Sequence, residues 1–141
     1  MRFSAKAEYA CVAMLDLAAS YREPQPVRIK TIAEAHGIDP RFLVQILLQL
    51  KSAGLVVSVR GAAGGYRLAQ PPDQISLAAV INAVAREQPA RPPASSASPA
   101  VQAMHSVWNE CQMQERRLLE SLTLADLGRR AREYNALSYQ I

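Results

Sequence analysis

The amino-acid sequence predicts a mainly α-helical fold carrying one small β-hairpin. Three observations lead there. Apolar residues recur at three- and four-residue steps along several stretches, the spacing of one helix face. One short run, Leu55-Val56-Val57-Ser58-Val59-Arg60, is instead rich in β-branched residues and bounded by glycine. Proline and glycine stand where these segments must start or stop.

Ser4 is placed to cap a first helix over roughly 5–20, in which Ala10, Ala13, Met14, Leu17 and Ala18 share a face. Glu23-Pro24-Gln25-Pro26 breaks it. Val27-Arg28-Ile29 leads into a short helix ending at His36, with Gly37 where a C-terminal cap is wanted. Asp39-Pro40 then supplies a capping carboxylate and proline at the first helical position. The helix so opened runs to about Ala53 and stops at Gly54. Leu43, Ile46, Leu47 and Leu50 form its buried stripe, leaving Arg41, Gln45, Gln49 and Lys51 to face elsewhere.

Residues 61–65 make a turn, and Tyr66-Arg67-Leu68-Ala69 returns as a second strand. The hairpin thus carries a basic residue on each arm, Arg60 and Arg67. Pro71-Pro72 closes it. Ser76 caps a further helix with Leu77, Val80, Ile81 and Val84 on one face. Short helix, glycine turn, longer helix, then hairpin is the order of a winged helix-turn-helix, here residues 1–87. The second helix of such a pair enters the major groove of DNA.

Residues 88–100 hold four prolines and three serines, the composition of a loop. A long helix is expected over 101–122, roughly 33 Å at 1.5 Å per residue. Val101, Met104, Trp108, Cys111, Leu118 and Leu122 fall near one stripe of it. Thr123 and Asp126 resemble a capping box for a last helix, 124–135. An amphipathic helix beyond a complete small domain needs a partner surface, and a second copy supplies one. Residues 101–141 are therefore expected to dimerise the chain, with Trp108 as a packing anchor.

Bulk properties narrow the function classes. The 141 residues suit one small domain plus an appended element. No apolar run is long enough for a membrane span, and the N-terminus lacks a signal-peptide pattern. The two cysteines, Cys11 and Cys111, speak against a disulfide scaffold and for a reducing cytoplasm. Residues 1–70 hold nine Lys/Arg against five acids, and residues 71–141 hold seven of each, so the net charge of +4 lies wholly in the first half. A basic half beside a neutral half suggests that one end meets a polyanion and the other meets protein. With two histidines, two cysteines and no clustered carboxylates, no catalytic pair or metal set stands out, so an enzyme is not expected.

The N-terminal run from Met1 to Ala10, the segment Ala13 to Ala18, and above all Ser58-Val59-Arg60-Gly61 followed by Gly64-Gly65-Tyr66-Arg67-Leu68 resemble the Rrf2 family of winged-helix regulators. The likeness resumes at Ile75-Ser76-Leu77, at His105-Ser106-Val107-Trp108 and at Leu122 to Leu127, and covers about 1–130. It implies a cytoplasmic homodimer on a pseudo-palindromic operator. In many members it also implies an iron–sulfur cluster, held by three cysteines before the long helix. Here residues 88–100 contain no cysteine, and Gln102 stands where the last of the three is expected. Clusters need several thiolates. A cluster-free member is the expectation, with no metal site and His105 as an ordinary helix histidine. An unusual ligand set drawing on Glu8 and His36 is the alternative.

Arg41, Gln45 and Gln49 are the candidates for reading bases, since arginine pairs bidentately with guanine and glutamine with adenine. Family members often carry an acid before this glutamine; here Val44 stands there, suited to a thymine methyl. Arg60 is expected at phosphate or in the minor groove, with Gly61, Gly64 and Gly65 letting the hairpin tip approach closely. Arg2, Ser4, Lys6 and Tyr9, at the first helix's start, and Arg28 complete the expected DNA contacts. Cys11 reads as a core residue, and Cys111 as a buried thiol or an oxidation sensor. The competing readings are a winged helix that contacts only protein, which Arg41, Arg60 and Arg67 oppose, and a regulator sensing a small molecule or thiol oxidation.

Overall fold

The computed structural model describes residues 3–85 and 92–140. Arg2 and residues 88–91 of the expected loop lie outside them. The first helix, α1 (Ala5–Ala19), starts where Ser4 Oγ accepts the Ala7 N–H at 3.1 Å. It buries Ala7, Ala10, Cys11, Ala13, Met14 and Leu17, so neighbouring helices approach over its alanine side chains. Helix α2 (Ile29–His36) ends at Gly37, whose φ of 64° is left-handed. The Ile38 N–H then donates back to the Ala33 carbonyl at 3.0 Å, and Ile38 is delivered into the core. Helix α3 (Pro40–Ser52) opens with Asp39 accepting the Arg41 N–H at 2.9 Å. Its Leu43, Ile46, Leu47 and Leu50 are fully buried, each side chain contributing about 1.5–3 kcal/mol by leaving water.

The wing is an antiparallel pair, β1 (Val56–Val59) and β2 (Gly65–Leu68), with Val56 opposite Leu68 and Val59 opposite Gly65. Both strands are four residues long. Gly65, expected in the turn, is the first residue of β2. Val27 adds a further, isolated rung on Tyr66 that sequence periodicity does not reveal. Its N–H donates to the Tyr66 carbonyl at 2.9 Å and its carbonyl accepts the Tyr66 N–H at 2.8 Å. After Pro71 the chain makes a short 3-10 helix, Pro72–Gln74. Helix α4 (Leu77–Val84) is capped by Ser76 Oγ on the Ala79 N–H at 3.0 Å.

Helix α5 (Pro99–Ser121) starts two residues earlier than expected, because Ser98 Oγ caps it and Pro99 fits its first turn. Helix α6 (Leu124–Gln140) runs past the expected end at 135. Its start is a reciprocal capping box. Asp126 Oδ2 accepts the Thr123 N–H at 2.9 Å, and Thr123 Oγ1 accepts the Asp126 N–H at 3.2 Å. The Thr123 backbone N–H first, and its hydroxyl second, hold the Asp126 carboxyl below its ordinary value.

One hydrophobic core joins α1, α2, α3, the wing and α4, and Leu124 of α6 belongs to it with no exposed surface. Backbone bonds tie α6 in: the Leu77 N–H donates to the Leu122 carbonyl at 2.8 Å, and the Leu124 N–H to the Ile75 carbonyl at 3.0 Å. Gly128 brings α6 against Leu15 of α1. Helix α5, by contrast, buries none of its residues in the single chain. Among the described residues no helix is long and apolar enough to cross a membrane.

Candidate nucleic-acid interface

The buried stripe of α3 fixes what its other side presents. With Leu43, Ile46, Leu47 and Leu50 inward, Arg41, Gln45 and Leu48 lie exposed along one outward stripe, with Val44 partly covered beside them. The Arg41 backbone N–H is already used by Asp39, so only its guanidinium is offered outward. Leu48 was not singled out from sequence, although its four-plus-three spacing from Arg41 through Gln45 marks it. Gln49 falls off this stripe. It is half-buried, and its Oε1 is buried without a hydrogen-bond partner. It lines a shallow groove of about 340 Å³ between α3 and Ala83 of α4.

The start of α1 lies beside α3. The Tyr9 ring packs edge-on against Phe42, with centroids 5.8 Å apart and planes at 81°. Tyr9 therefore braces α1 against the first turn of α3. Lys6 is partly covered, and the Ser4 hydroxyl is engaged as the α1 cap.

Wing residues divide into two kinds. Arg60 is exposed and makes no ion pair among the described residues. Arg28 and Arg67 are structural. The Arg28 guanidinium donates to the Ala62 carbonyl at 2.5 Å and holds the wing tip. Arg67 donates to the Pro24 carbonyl at 2.6 Å and the Tyr21 carbonyl at 3.4 Å, pinning the segment after α1 to the wing. Arg67 is thus spent inside the fold, and only Arg41 and Arg60 speak against a protein-only surface. Lys51 joins the end of α3 to the wing through Ser58 Oγ at 2.8 Å.

Gly64 and Gly65 have a reason inside the fold. A Cβ on Gly65 would stand 2.3 Å from the Val27 carbonyl oxygen, and one on Gly64 2.4 Å from that of Val59. Their missing side chains let the backbone close the turn and take the Val27 rung. Gly61, with φ of 111°, makes the turn itself.

The candidate ligands for a cluster lie in different parts of the fold. Among the described residues no group of three or more His, Cys, Asp or Glu side chains converges. Cys11 lies in the core, and burial pushes its thiol up to about 11, far from a thiolate ligand. Cys111 lies mid-way along α5, exposed in the single chain, and whether it is a buried thiol or an oxidation sensor turns on what covers that helix. His36 Nε2 lies 2.8 Å from Asp16 Oδ2, so that side chain braces α2 against α1. His105 is partly covered on α5.

The exposed apolar residues gather on α5. Met104 is 58% exposed, Trp108 50% and Leu118 60%, with Val101 and Cys111 exposed as well. Leu122, at the α5–α6 junction, is half-buried. Val107 is exposed beside them and Met113 on the opposite side of α5, and neither was singled out from sequence.

Comparisons with known proteins agree with this geometry. The Rrf2 family model, described as an iron-dependent transcriptional regulator, matches residues 3–130. A helix-turn-helix transcriptional regulator of Synechocystis is 36% identical over 96% of this chain and 93% of its own length. The regulator IscR of Aliivibrio salmonicida is 46% identical over 84 residues, 60% of this chain and 49% of that protein. Among solved structures, CymR, the global cysteine regulator of B. subtilis, superposes with a TM-score of 0.79 at 30% identity, covering 91% of this chain and 96% of that one. T. potens IscR gives 0.78 at 36% identity, over 95% and 90%. These relatives are transcriptional regulators, not enzymes.

Proposed function

The chain belongs to the Rrf2 family of winged-helix transcriptional regulators, and from that premise we propose that it represses transcription as a cytoplasmic homodimer on a pseudo-palindromic operator. The observation that carries this reading is the outward stripe of α3, where Arg41 and Gln45 stand exposed opposite a fully buried face. Those side chains are the ones that read guanine and adenine edges in the major groove. Arg60 on the wing, with Gly61 in its turn, takes phosphate or the minor groove. The start of α1, with Lys6 and Ser4, offers further phosphate contacts. Residues 1–87 supply the DNA-reading surface, and the exposed apolar stripe of α5 supplies the contact between copies.

We infer that the regulator works without a cluster of the family type, since residues 88–100 hold no cysteine and Gln102 stands where the last of the family's three is expected. Its signal is a small molecule or oxidation of Cys111. The test is fluorescence anisotropy with the DNA upstream of its own gene, titrated across salt against a scrambled duplex. Specific binding that weakens by about three to five decades between roughly 50 and 200 mM salt is expected of a dimer neutralising many phosphates. Equal affinity for both duplexes would overturn the reading.

A further inference from the structure

A second cleft, of about 410 Å³, opens where the end of α1, the 3-10 helix and the start of α6 meet. Ala18, Ala19, Pro71, Pro72 and Ala125 give it apolar walls. Arg22 and Asp73 also line it, and both are exposed. They do not pair with each other, and among the described residues neither has an ion-pair partner. The cleft is held in shape. Arg67 pins the carbonyls of Tyr21 and Pro24 on one side, and the Gln74 N–H donates to the Pro71 carbonyl at 2.9 Å on the other.

We propose that this cleft binds a small zwitterion of the α-amino acid class, its carboxylate on Arg22, its ammonium on Asp73 and its side chain on the alanine–proline wall. The volume lies in the range of small-molecule sites, about 300–1,000 Å³. Two opposite charges on one rigid apolar cleft match a ligand that carries both. A simple carboxylate or a simple amine satisfies only one of them.

The position explains a consequence for DNA, which rests on the regulator reading; the binding itself does not. Three separately anchored pieces line the cleft, and α6 is the one that follows α5. A ligand there bears on the junction where α6, already seated in the winged domain by Leu124, takes over from α5, which sets the spacing of two recognition helices in a dimer. By linkage, it shifts operator affinity by the same factor that DNA shifts its own.

The full-length protein is screened by thermal shift with each proteinogenic α-amino acid at millimolar concentration, with acetate and methylamine as half-ligand controls. Hits are titrated by calorimetry on the wild type, Arg22→Gln and Asp73→Asn. Both side chains are exposed and make no bond among the described residues, so the variants are expected to fold, as near-UV circular dichroism checks. At least one amino acid should raise the wild-type Tm, both variants should lose at least tenfold in affinity, and neither control should bind. The ligand should change operator affinity about fivefold or more. No binding by any amino acid, or binding untouched by both variants, overturns the proposal. Operator binding without amino-acid binding leaves the regulator reading standing and removes this one. Amino-acid binding that needs both residues, in a protein that binds no DNA, does the reverse.

Discussion

Arg41 and Arg60 carry equal charge but sit differently, and that difference is measurable. Arg41 projects from the first turn of a helix whose axis is fixed by four buried side chains. Its guanidinium can be held to one base. Arg41→Ala should reduce discrimination at particular operator positions by about 1–3 kcal/mol, read by anisotropy on single-base variants. Arg60 sits on an exposed wing, so Arg60→Ala should weaken every duplex alike and flatten the salt slope by about one. Gly65 tests the fold rather than the DNA. Gly65→Ala places a methyl against the Val27 carbonyl and should lower stability by about 1–3 kcal/mol in urea unfolding. The exposed arginine and glutamine of α3 were legible because helix periodicity alone assigns them a side. Arg28, Arg67 and Gly65 were not. Their partners, Ala62, Tyr21 and Val27, lie 34 or more residues away in sequence and become neighbours only when the wing folds back.

Helix starts were legible at Ser4, Asp39, Ser76 and Thr123, where a side chain caps the helix, but not at Ser98, whose cap lies inside the proline- and serine-rich stretch. The end of α6 was not, since no glycine or proline marks it, and the 3-10 helix after Pro71 has no periodicity to show. The capping box at α6 makes a testable element. Its Asp126 carboxyl is held below the ordinary value by bonds from Thr123, so the ionised form favours the folded helix start. That contribution is complete above the unfolded-state value, about 3.9, and is lost as pH falls through the lower folded value. Stability should drop on acidification below that range, and Asp126→Asn should show a flatter acid limb in thermal melts from pH 5 downward. An unchanged acid limb would remove the box from the account.

At the scale of the molecule, a 23-residue helix with no buried residue is the feature on which the proposed second copy rests. Trp108→Glu puts a charge in the middle of its apolar stripe. It should weaken the dimer by about 2 kcal/mol or more, roughly thirtyfold, in sedimentation, and lower operator affinity with it. The cysteines report on the same step. Cys111 should alkylate slowly in the wild type and rapidly in Trp108→Glu. Cys11, buried with its thiol pushed up to about 11, should stay unlabelled in both. The stripe itself was legible from spacing. Its neighbour α6 was misleading, because the proline-rich stretch before α5 suggests a boundary that the core does not respect. Leu124 fills the winged domain from the far side of that stretch, and Ile75 and Leu77 have backbone partners there. The DNA-reading head is thus not a detachable cassette. A chimera cut at residue 87 would leave a hole where Leu124 sat and two stranded backbone groups. A transplantable head must bring residues 122–128 along.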